Sequence, residues 1–280
     1  MSRKSKTWLI AGGALILAGG ILFAVSLSLL GWNFADLSTS TYETKEYAVA
    51  ESFRDLRIEA DTADVTVLVA EDGVARVEIY EEEAARYRVS VENGTLTVRL
   101  ADEREWYHFI GVNFDSPQIR VYLPTGELGT LTVEVDTGDV ALNRCEADVI
   151  CIETDTGDVT LDQCYAAELR VDADTGDVTL NRCEPTALRI VTDTGDVTLD
   201  QCHAAELRVD VDAGDVTLNR CDADAIYIET DTGDVTGTLL TEKTFRIETD
   251  TGRYDVPYGT VGGLCAITTD TGDIKIEIVP

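Results

Sequence analysis

The chain has 280 residues, of which 44% are hydrophobic, and this composition predicts a folded protein rather than a disordered one. Its formal net charge is −31 at pH 7, although the first 34 residues contain no Asp or Glu. A body this acidic repels nucleic acid and attracts cations and basic partners, so the charge excludes nucleic acid as a partner.

The chain begins with a basic flank, residues 1–7, and an uncharged apolar run, residues 8–30. A helix of that length spans the roughly 30 Å hydrocarbon core of a bilayer. The run is longer than the apolar region of a signal peptide, which is typically about 7–15 residues. We therefore expect a single-pass transmembrane helix in the cell membrane, with the N-terminus cytoplasmic and the rest extracytoplasmic. A long cleaved signal peptide is the alternative.

Residues 31–46 are mostly polar and are predicted to form a tether, and residues 47–125 form an N-terminal β region or cap. Several segments of this region alternate apolar and polar residues with a period of two, which is typical of strands with one buried face. The pair Asn93-Gly94 lies between two such segments and predicts a two-residue hairpin turn.

An aromatic insertion interrupts this region at residues 103–114. It contains Trp106, Tyr107 and Phe109. One interpretation is an exposed loop that contacts a partner or the membrane surface. The other is a plug over one end of the core, because an open end would leave apolar surface and strand edges bare.

A regular repeat dominates residues 126–280. A turn with the pattern Asp-Thr-Gly-Asp returns every 19 residues, with one interval of 20 between Asp250 and Asp270. Each copy also places apolar residues in two short alternating segments, such as residues 159–161 and 169–171. A copy of this length cannot bury its apolar face alone, whereas stacked copies can. The pattern predicts an all-β fold, a single-stack β-solenoid with rungs of about 19 residues that lie about 4.8 Å apart.

The acidic corners allow two interpretations. In one, the glycine supplies the positive φ of a sharp turn and the Asp side chains accept hydrogen bonds from neighbouring backbone N–H groups. In the other, the carboxylates bind Ca²⁺ between rungs, since hard oxygen ligands suit that ion. No other cofactor is expected. The candidate Ca²⁺ ligands are Asp155, Asp158, Asp174, Asp177, Asp193, Asp196, Asp212 and Asp215.

Stacked like charges repel, so the repeat needs an offset. Besides cations, a column of outward arginines two residues from the acids is a candidate. Arg170, Arg189 and Arg208 of this column are also the candidate partner contacts, together with Trp106, Tyr107 and Phe109 of the aromatic insertion.

A column of cysteines follows the same period, from Cys145 to Cys221. The spacing lacks the short metal-binding pattern of zinc sites. We expect these cysteines to fill a tight inner corner as small apolar residues. Cys151 stands apart, on the outward arginine column, and is the candidate for a reactive thiol.

Catalytic patterns are sparse. The chain has two histidines, and no nucleophile triad, phosphate-binding loop or zinc-protease motif is evident. The acids repeat uniformly, which is typical of a solvated edge rather than a catalytic cleft. We expect a non-enzyme; an enzyme that acts on envelope polysaccharide through Asp clusters is the competing class.

The chain resembles the bacterial putative-adhesin family that carries the domain of unknown function 4097. The resemblance extends over about residues 45–280, and it rests on "FRDLRIEADTADVTVLVAEDGVARVEIYE", "ENGTLTVRL", "WYHFIGVNF" before "SPQIRVYLP", and the repeated "TGDV" rungs. It implies a solenoid-like, surface-exposed or membrane-linked bacterial protein, and it implies no catalytic residues.

These observations predict a membrane-anchored extracytoplasmic binding or scaffold protein, either an adhesin or an envelope-stress sensing module. The expected partners are other envelope proteins or surface polysaccharide, besides the membrane itself. The alternatives are the polysaccharide enzyme and a calcium-dependent structural spacer.

Overall fold

A computed structural model of the chain describes residues 16–21, 25, 28, 42–82, 86–101, 116–259 and 261–279. The chain divides into two compact units, Met1–Thr41 with Arg104–Asp115, and Tyr42–Glu103 with Ser116–Pro280. Residues 16–21, 25 and 28 are helical. Within the described ranges, no helix has both the length and the hydropathy needed to cross a membrane. Most of the predicted anchor and all of Trp106, Tyr107 and Phe109 lie outside those ranges.

The second unit is built of β-strands. Its first seven are β1 (Tyr42–Ala48), β2 (Asp55–Thr62), β3 (Asp64–Val69), β4 (Arg76–Glu82), β5 (Tyr87–Glu92), β6 (Thr95–Leu100) and β7 (Gln118–Leu123). The regular repeats supply β8 (Leu128–Thr137), β9 (Val140–Asn143), β10 (Glu146–Thr156), β11 (Val159–Asp162), β12 (Tyr165–Thr175), β13 (Val178–Asn181), β14 (Glu184–Thr194), β15 (Val197–Asp200), β16 (His203–Ala213) and β17 (Val216–Thr232). The last strands are β18 (Val235–Leu239), β19 (Lys243–Thr251), β20 (Tyr254–Asp255), β21 (Gly263–Thr271) and β22 (Ile274–Ile278).

Each repeat contributes one long and one short strand to two parallel layers. We call them the long-strand layer, which contains β8, β10, β12, β14 and β16, and the short-strand layer, which contains β9, β11, β13 and β15. The long strand β17 continues from the short-strand layer into the long-strand layer. The predicted all-β solenoid with 19-residue rungs is confirmed.

Register is strict, so equivalent residues stack in columns. In the long-strand layer Leu169 lies beside Leu188, and in the short-strand layer Val159 lies beside Val178. The inward side chains of both layers form one continuous core whose members are almost fully buried. Each rung covers the apolar face of its neighbour, and this is why the repeated sequence folds as a stack.

The spatial order of the rungs departs from sequence order at both ends. The rung β21–β22 lies between the rungs β17–β18 and β19–β20. At the other end, β2–β3 lies between β8–β9 and β6–β7. The one 20-residue interval of the repeat, between Asp250 and Asp270, marks the first of these inversions.

Antiparallel strands cover the end that holds β6 and β7. Strand β5 pairs with β6, β4 pairs with β7, and β1 adds to β4. Glu81 of β4 is fully buried, and it accepts hydrogen bonds from Lys45 Nζ and the Tyr87 backbone N–H, each 2.6 Å long. The buried carboxylate is therefore paired with a cation, as burial requires.

Candidate functional site

Backbone conformation and close packing both favour glycine at corners such as Gly157 and Gly176. Gly157 and Gly176 have φ values of 147° and 145°, a region that side chains with a Cβ rarely adopt. A Cβ at Gly176 would also lie 2.1 Å from the carbonyl oxygen of Gly157 in the rung before it. The corner glycines therefore let successive backbones approach closely, and the predicted positive φ is present at Gly138, Gly157, Gly176 and Gly195.

The second Asp of each corner forms a ladder along the stack. The backbone N–H of Asp177 donates to Asp158 Oδ1 over 2.8 Å, and the N–H of Asp196 donates to Asp177 Oδ1 over 2.9 Å. The same bond links every rung from β3 to β20 in spatial order, through Asp64, Asp139, Asp158, Asp177, Asp196, Asp215, Asp234, Asp273 and the N–H of Arg253. We call this set the aspartate ladder. The bonds join neighbouring rungs, whereas the turn chemistry predicted from sequence joins residues within one turn.

The two Asp positions of the predicted Ca²⁺ ligand set thus differ. Asp158, Asp177, Asp196 and Asp215 each use Oδ1 in the ladder, while Asp155, Asp174, Asp193 and Asp212 are exposed. Over the described part of the chain, no three acidic, histidine or cysteine side chains converge as a metal site would require. The ladder gives the second Asp of these corners a structural role of its own.

A second corner, which the sequence analysis did not predict, contains non-glycine residues with positive φ. Their φ values lie between 51° and 56°, at Arg144, Gln163, Arg182, Gln201 and Arg220. Each precedes a cysteine of the predicted column. The periodic Arg or Gln before Cys was the available signal, but only a few per cent of non-glycine residues adopt this conformation, so sequence alone gives it little weight.

The column from Cys145 to Cys221 is buried, as predicted, and its cysteines are free thiols. Each thiol lies within hydrogen-bond reach of backbone carbonyls, for example Cys183 Sγ at 3.4 Å from Asn181 O. The hydrogen bond with Cys145 together with burial raises the pKa of Cys164 to about 12. Burial, followed by the charge of Glu153, also raises the pKa of the partly exposed Cys151, which disfavours its thiolate form.

Three arginines and a tyrosine stack on the outer surface of the long-strand layer. Arg170, Arg189, Arg208 and Tyr227 lie side by side in register on β12, β14, β16 and β17. We call this set the arginine stripe. The structure thus brings together the three arginines that the sequence analysis proposed as partner contacts.

Two of these arginines are engaged with acids of their own strands. Arg170 donates to Asp172 over 2.6 Å, and this hydrogen bond raises the pKa of Arg170. Arg208 donates to Glu206 and stacks its guanidinium 4.5 Å from the centre of the Tyr227 ring. Both guanidinium groups are partly neutralised before any partner arrives.

Arg189 differs from both. Its neighbours on the same strand face are Ala187 and Val191, where the adjacent rungs carry Glu168, Glu206, Asp172 and Asp210. Among the described residues, no acid lies within ion-pair distance of its guanidinium. Arg189 is exposed, so it is a free cation between two apolar side chains at the middle of the stripe.

A shallow groove of about 150 Å³ runs beside Arg189 and Arg208, with Tyr227, Glu229 and Thr268 on its other side. Tyr227 was not among the predicted contact residues. Its ring forms a wall of the groove and holds the Arg208 side chain. A larger hollow, of about 530 Å³, lies at the other end of the layer and is bordered by Glu59, Asp61, Glu134, Asp136, Arg88 and Arg99.

Comparison with known proteins gives a consistent result. A family model described as Toastrack DUF4097 matches residues 53–248 and 186–279. A solved "putative adhesin" of Bacteroides fragilis NCTC 9343 is 17% identical, with 85% of this chain and 97% of that chain covered and a TM-score of 0.56. A solved "putative lipid binding protein" of Parabacteroides distasonis ATCC 8503 is 13% identical, with 86% and 98% covered and a TM-score of 0.58. At these identities the two structures show the fold alone. No curated protein sequence matches the chain.

Proposed function

The chain belongs to the Toastrack DUF4097 family, and we propose that it is a membrane-anchored extracytoplasmic protein that binds a partner at the cell envelope. Adhesion and envelope sensing both need such a displayed surface. The uncharged run at residues 8–30 supports the anchor, and the descriptions of the solved relatives support an adhesin-like task. The proposal includes no catalytic step.

The free guanidinium of Arg189 is the observation on which the proposed contact surface rests. A rigid stack fixes its position, and it is the member of the stripe that has neither an acid of its own strand nor an aromatic ring to hold it. A guanidinium recognises carboxylate and phosphate groups through two parallel hydrogen bonds. The partner therefore presents such a group next to apolar surface that fits Ala187 and Val191, as envelope proteins and acidic surface polysaccharides do.

Charge reversal of this residue tests the surface. The labelled full chain in detergent micelles is mixed with bacterial envelope fractions, and the bound amount is measured after sedimentation. We expect Arg189→Glu to weaken binding at least tenfold, since one lost charged hydrogen-bond pair is worth about 1.5–3 kcal/mol. The control Arg120→Glu makes the same charge change on the outer surface of the short-strand layer and should bind like the native chain.

Treatment of the envelope with protease or with glycan hydrolase identifies the class of partner. Vesicles of anionic and of neutral lipid, used alone, show whether lipid is the partner instead. Native-strength binding by Arg189→Glu would exclude the arginine stripe as the contact surface.

Protease added to intact cells that express the chain tests the topology, because it degrades residues 42–280 only if they lie outside.

A further inference from the structure

The stack has an open end at β19 and β20. These strands pair with β21 and β22 on one side, and no other described strand pairs with them. Inward side chains within the stack, such as Leu169 and Val171, are fully buried, whereas Phe245 and Ile247 of β19 are half-buried. Tyr254, Tyr258 and Val261, in the same rung and the loop that follows it, are 64%, 97% and 58% exposed. An apolar strand edge of this kind favours pairing with a further strand.

Two opposite charges on β19, Arg246 and Glu248, have no ion-pair partner among the described residues. In two other rungs of the layer, the arginine of this column pairs with the acid two residues later, Arg57 with Glu59 and Arg170 with Asp172. Arg246 and Glu248 occupy the same two positions of β19, and no ion pair joins either to another described side chain. The open edge therefore presents a cation and an anion, two residues apart, that no described side chain neutralises.

This arrangement is complementary to itself. When a second β19 lies antiparallel to the first with Ile247 opposite Ile247, Arg246 of each copy lies opposite Glu248 of the other. The half-buried Phe245 then lies opposite Thr249. The pairing satisfies both free charges twice and covers the apolar edge.

We propose that two copies of this chain associate end to end through antiparallel pairing of β19, about a two-fold axis at Ile247. This association is separate from the partner binding proposed above, because it uses the end of the stack, whereas partner binding uses its outer surface. It leaves the arginine stripe of both copies accessible.

The aspartate ladder favours two like ends over a head-to-tail filament. From the β2–β3 rung onward, each rung that receives a parallel neighbour offers an Asp carboxylate to the N–H of that neighbour, but the last rung has Arg253 at this position. A further parallel rung would find no acceptor there. The other end of the stack is also closed to parallel pairing, since β1, β4 and β5 lie antiparallel over it. Closed two-fold pairing is the arrangement that remains.

Charge reversal and its rescue form the first test. The mass of the full chain in detergent micelles is measured by sedimentation across a concentration series. We expect a dimer that Arg246→Glu and Glu248→Arg each weaken at least tenfold, because each places like charges opposite one another twice. The double variant R246E/E248R restores the pairs and should dimerise like the native chain. Arg120→Glu serves as the matched control.

Disulfide trapping tests the register. Directly opposite residues in an antiparallel pair have Cα atoms about 4.5–5.5 Å apart, within disulfide range, whereas diagonal neighbours are about 7–8 Å apart. Arg246→Cys mixed with Glu248→Cys should give a covalent dimer on mild oxidation, and either variant alone should give no more than the native chain, whose Cys151 sets the background. A monomer at every concentration, a dimer insensitive to both reversals, or equal trapping of single variants would overturn the proposal.

Discussion

The two aspartates of an Asp-Thr-Gly-Asp corner have different roles, although both recur with the same period in the sequence. The second belongs to the aspartate ladder and accepts a hydrogen bond from the next rung, while the first, for example Asp174, is exposed. A ladder needs an oxygen acceptor at each rung but does not need the negative charge. This distinction separates the ladder from a metal site, where charge contributes to binding.

Substitution of one ladder residue and its neighbour tests this distinction. Asp177→Ala removes the acceptor of the Asp196 N–H and should lower the free energy of unfolding by about 1 kcal/mol. Asp177→Asn keeps an acceptor oxygen and removes one repulsive charge, so it should leave stability unchanged or slightly raised. The control Asp174→Ala should change it by less than about 0.5 kcal/mol. Urea unfolding of the full chains measures all three, and equal losses at 174 and 177 would contradict the ladder.

At single positions, the sequence predicted what periodicity and simple stereochemistry control. It predicted the glycine corner and the buried cysteine column because Gly157 and Cys164 recur beside apolar residues of fixed spacing. It missed the positive φ of Gln163 and Arg182, because nothing in a flexible polar side chain indicates that conformation. It also missed the free state of Arg189, which depends on Ala187 and Val191 replacing acids on one strand.

The repeat predicted the strands, but it did not predict the spatial order of the rungs. The repeat is nearly the same from rung to rung, so it determines the register of neighbouring strands without determining which rungs are neighbours. The position of β21–β22 between β17–β18 and β19–β20 is stabilised by the ammonium of Lys243. This group is 3% exposed and donates to Asp222 Oδ1 at 2.5 Å, Ala223 O at 2.7 Å and Thr241 Oγ1 at 2.7 Å.

Loss of this ammonium should loosen the last rungs. Lys243→Met leaves the Asp222 carboxylate without its cation in a largely buried site, and we expect a loss of about 2–4 kcal/mol of local stability. Hydrogen exchange followed by mass spectrometry should show faster exchange in peptides from 243–278 than in the native chain, with peptides from 159–200 unchanged. Adding Asp222→Leu should recover part of the loss, since the stranded charge is then gone. Solenoids can open locally, so faster exchange confined to the last rungs is the expected result. Uniformly faster exchange along the whole chain would contradict a local role for Lys243.

Considered as one charged body, the protein carries a net charge of −31, and most of its acids lie in exposed columns along the rungs. Ion pairs such as Arg57 with Glu134 and Arg182 with Asp162 offset part of the repulsion between rungs. The remaining repulsion is exposed and is therefore screened by any salt. Composition and repeat length predicted the solenoid and its acidity, whereas the anchor and the aromatic insertion remain predictions because they lie largely or wholly outside the described residues.

The response to divalent cations tests most directly whether the acidic corners are a hydrogen-bonded ladder or a set of Ca²⁺ sites. Thermal unfolding of the reduced full chain is followed in EDTA, in millimolar Ca²⁺ and in millimolar Mg²⁺ at equal ionic strength. The ladder predicts small and equal rises in Tm with the two ions, since both only screen exposed carboxylates. A rise of about 5–10 °C with Ca²⁺ alone, the size expected when a ligand is about 100-fold above its Kd, would show that the corners bind calcium.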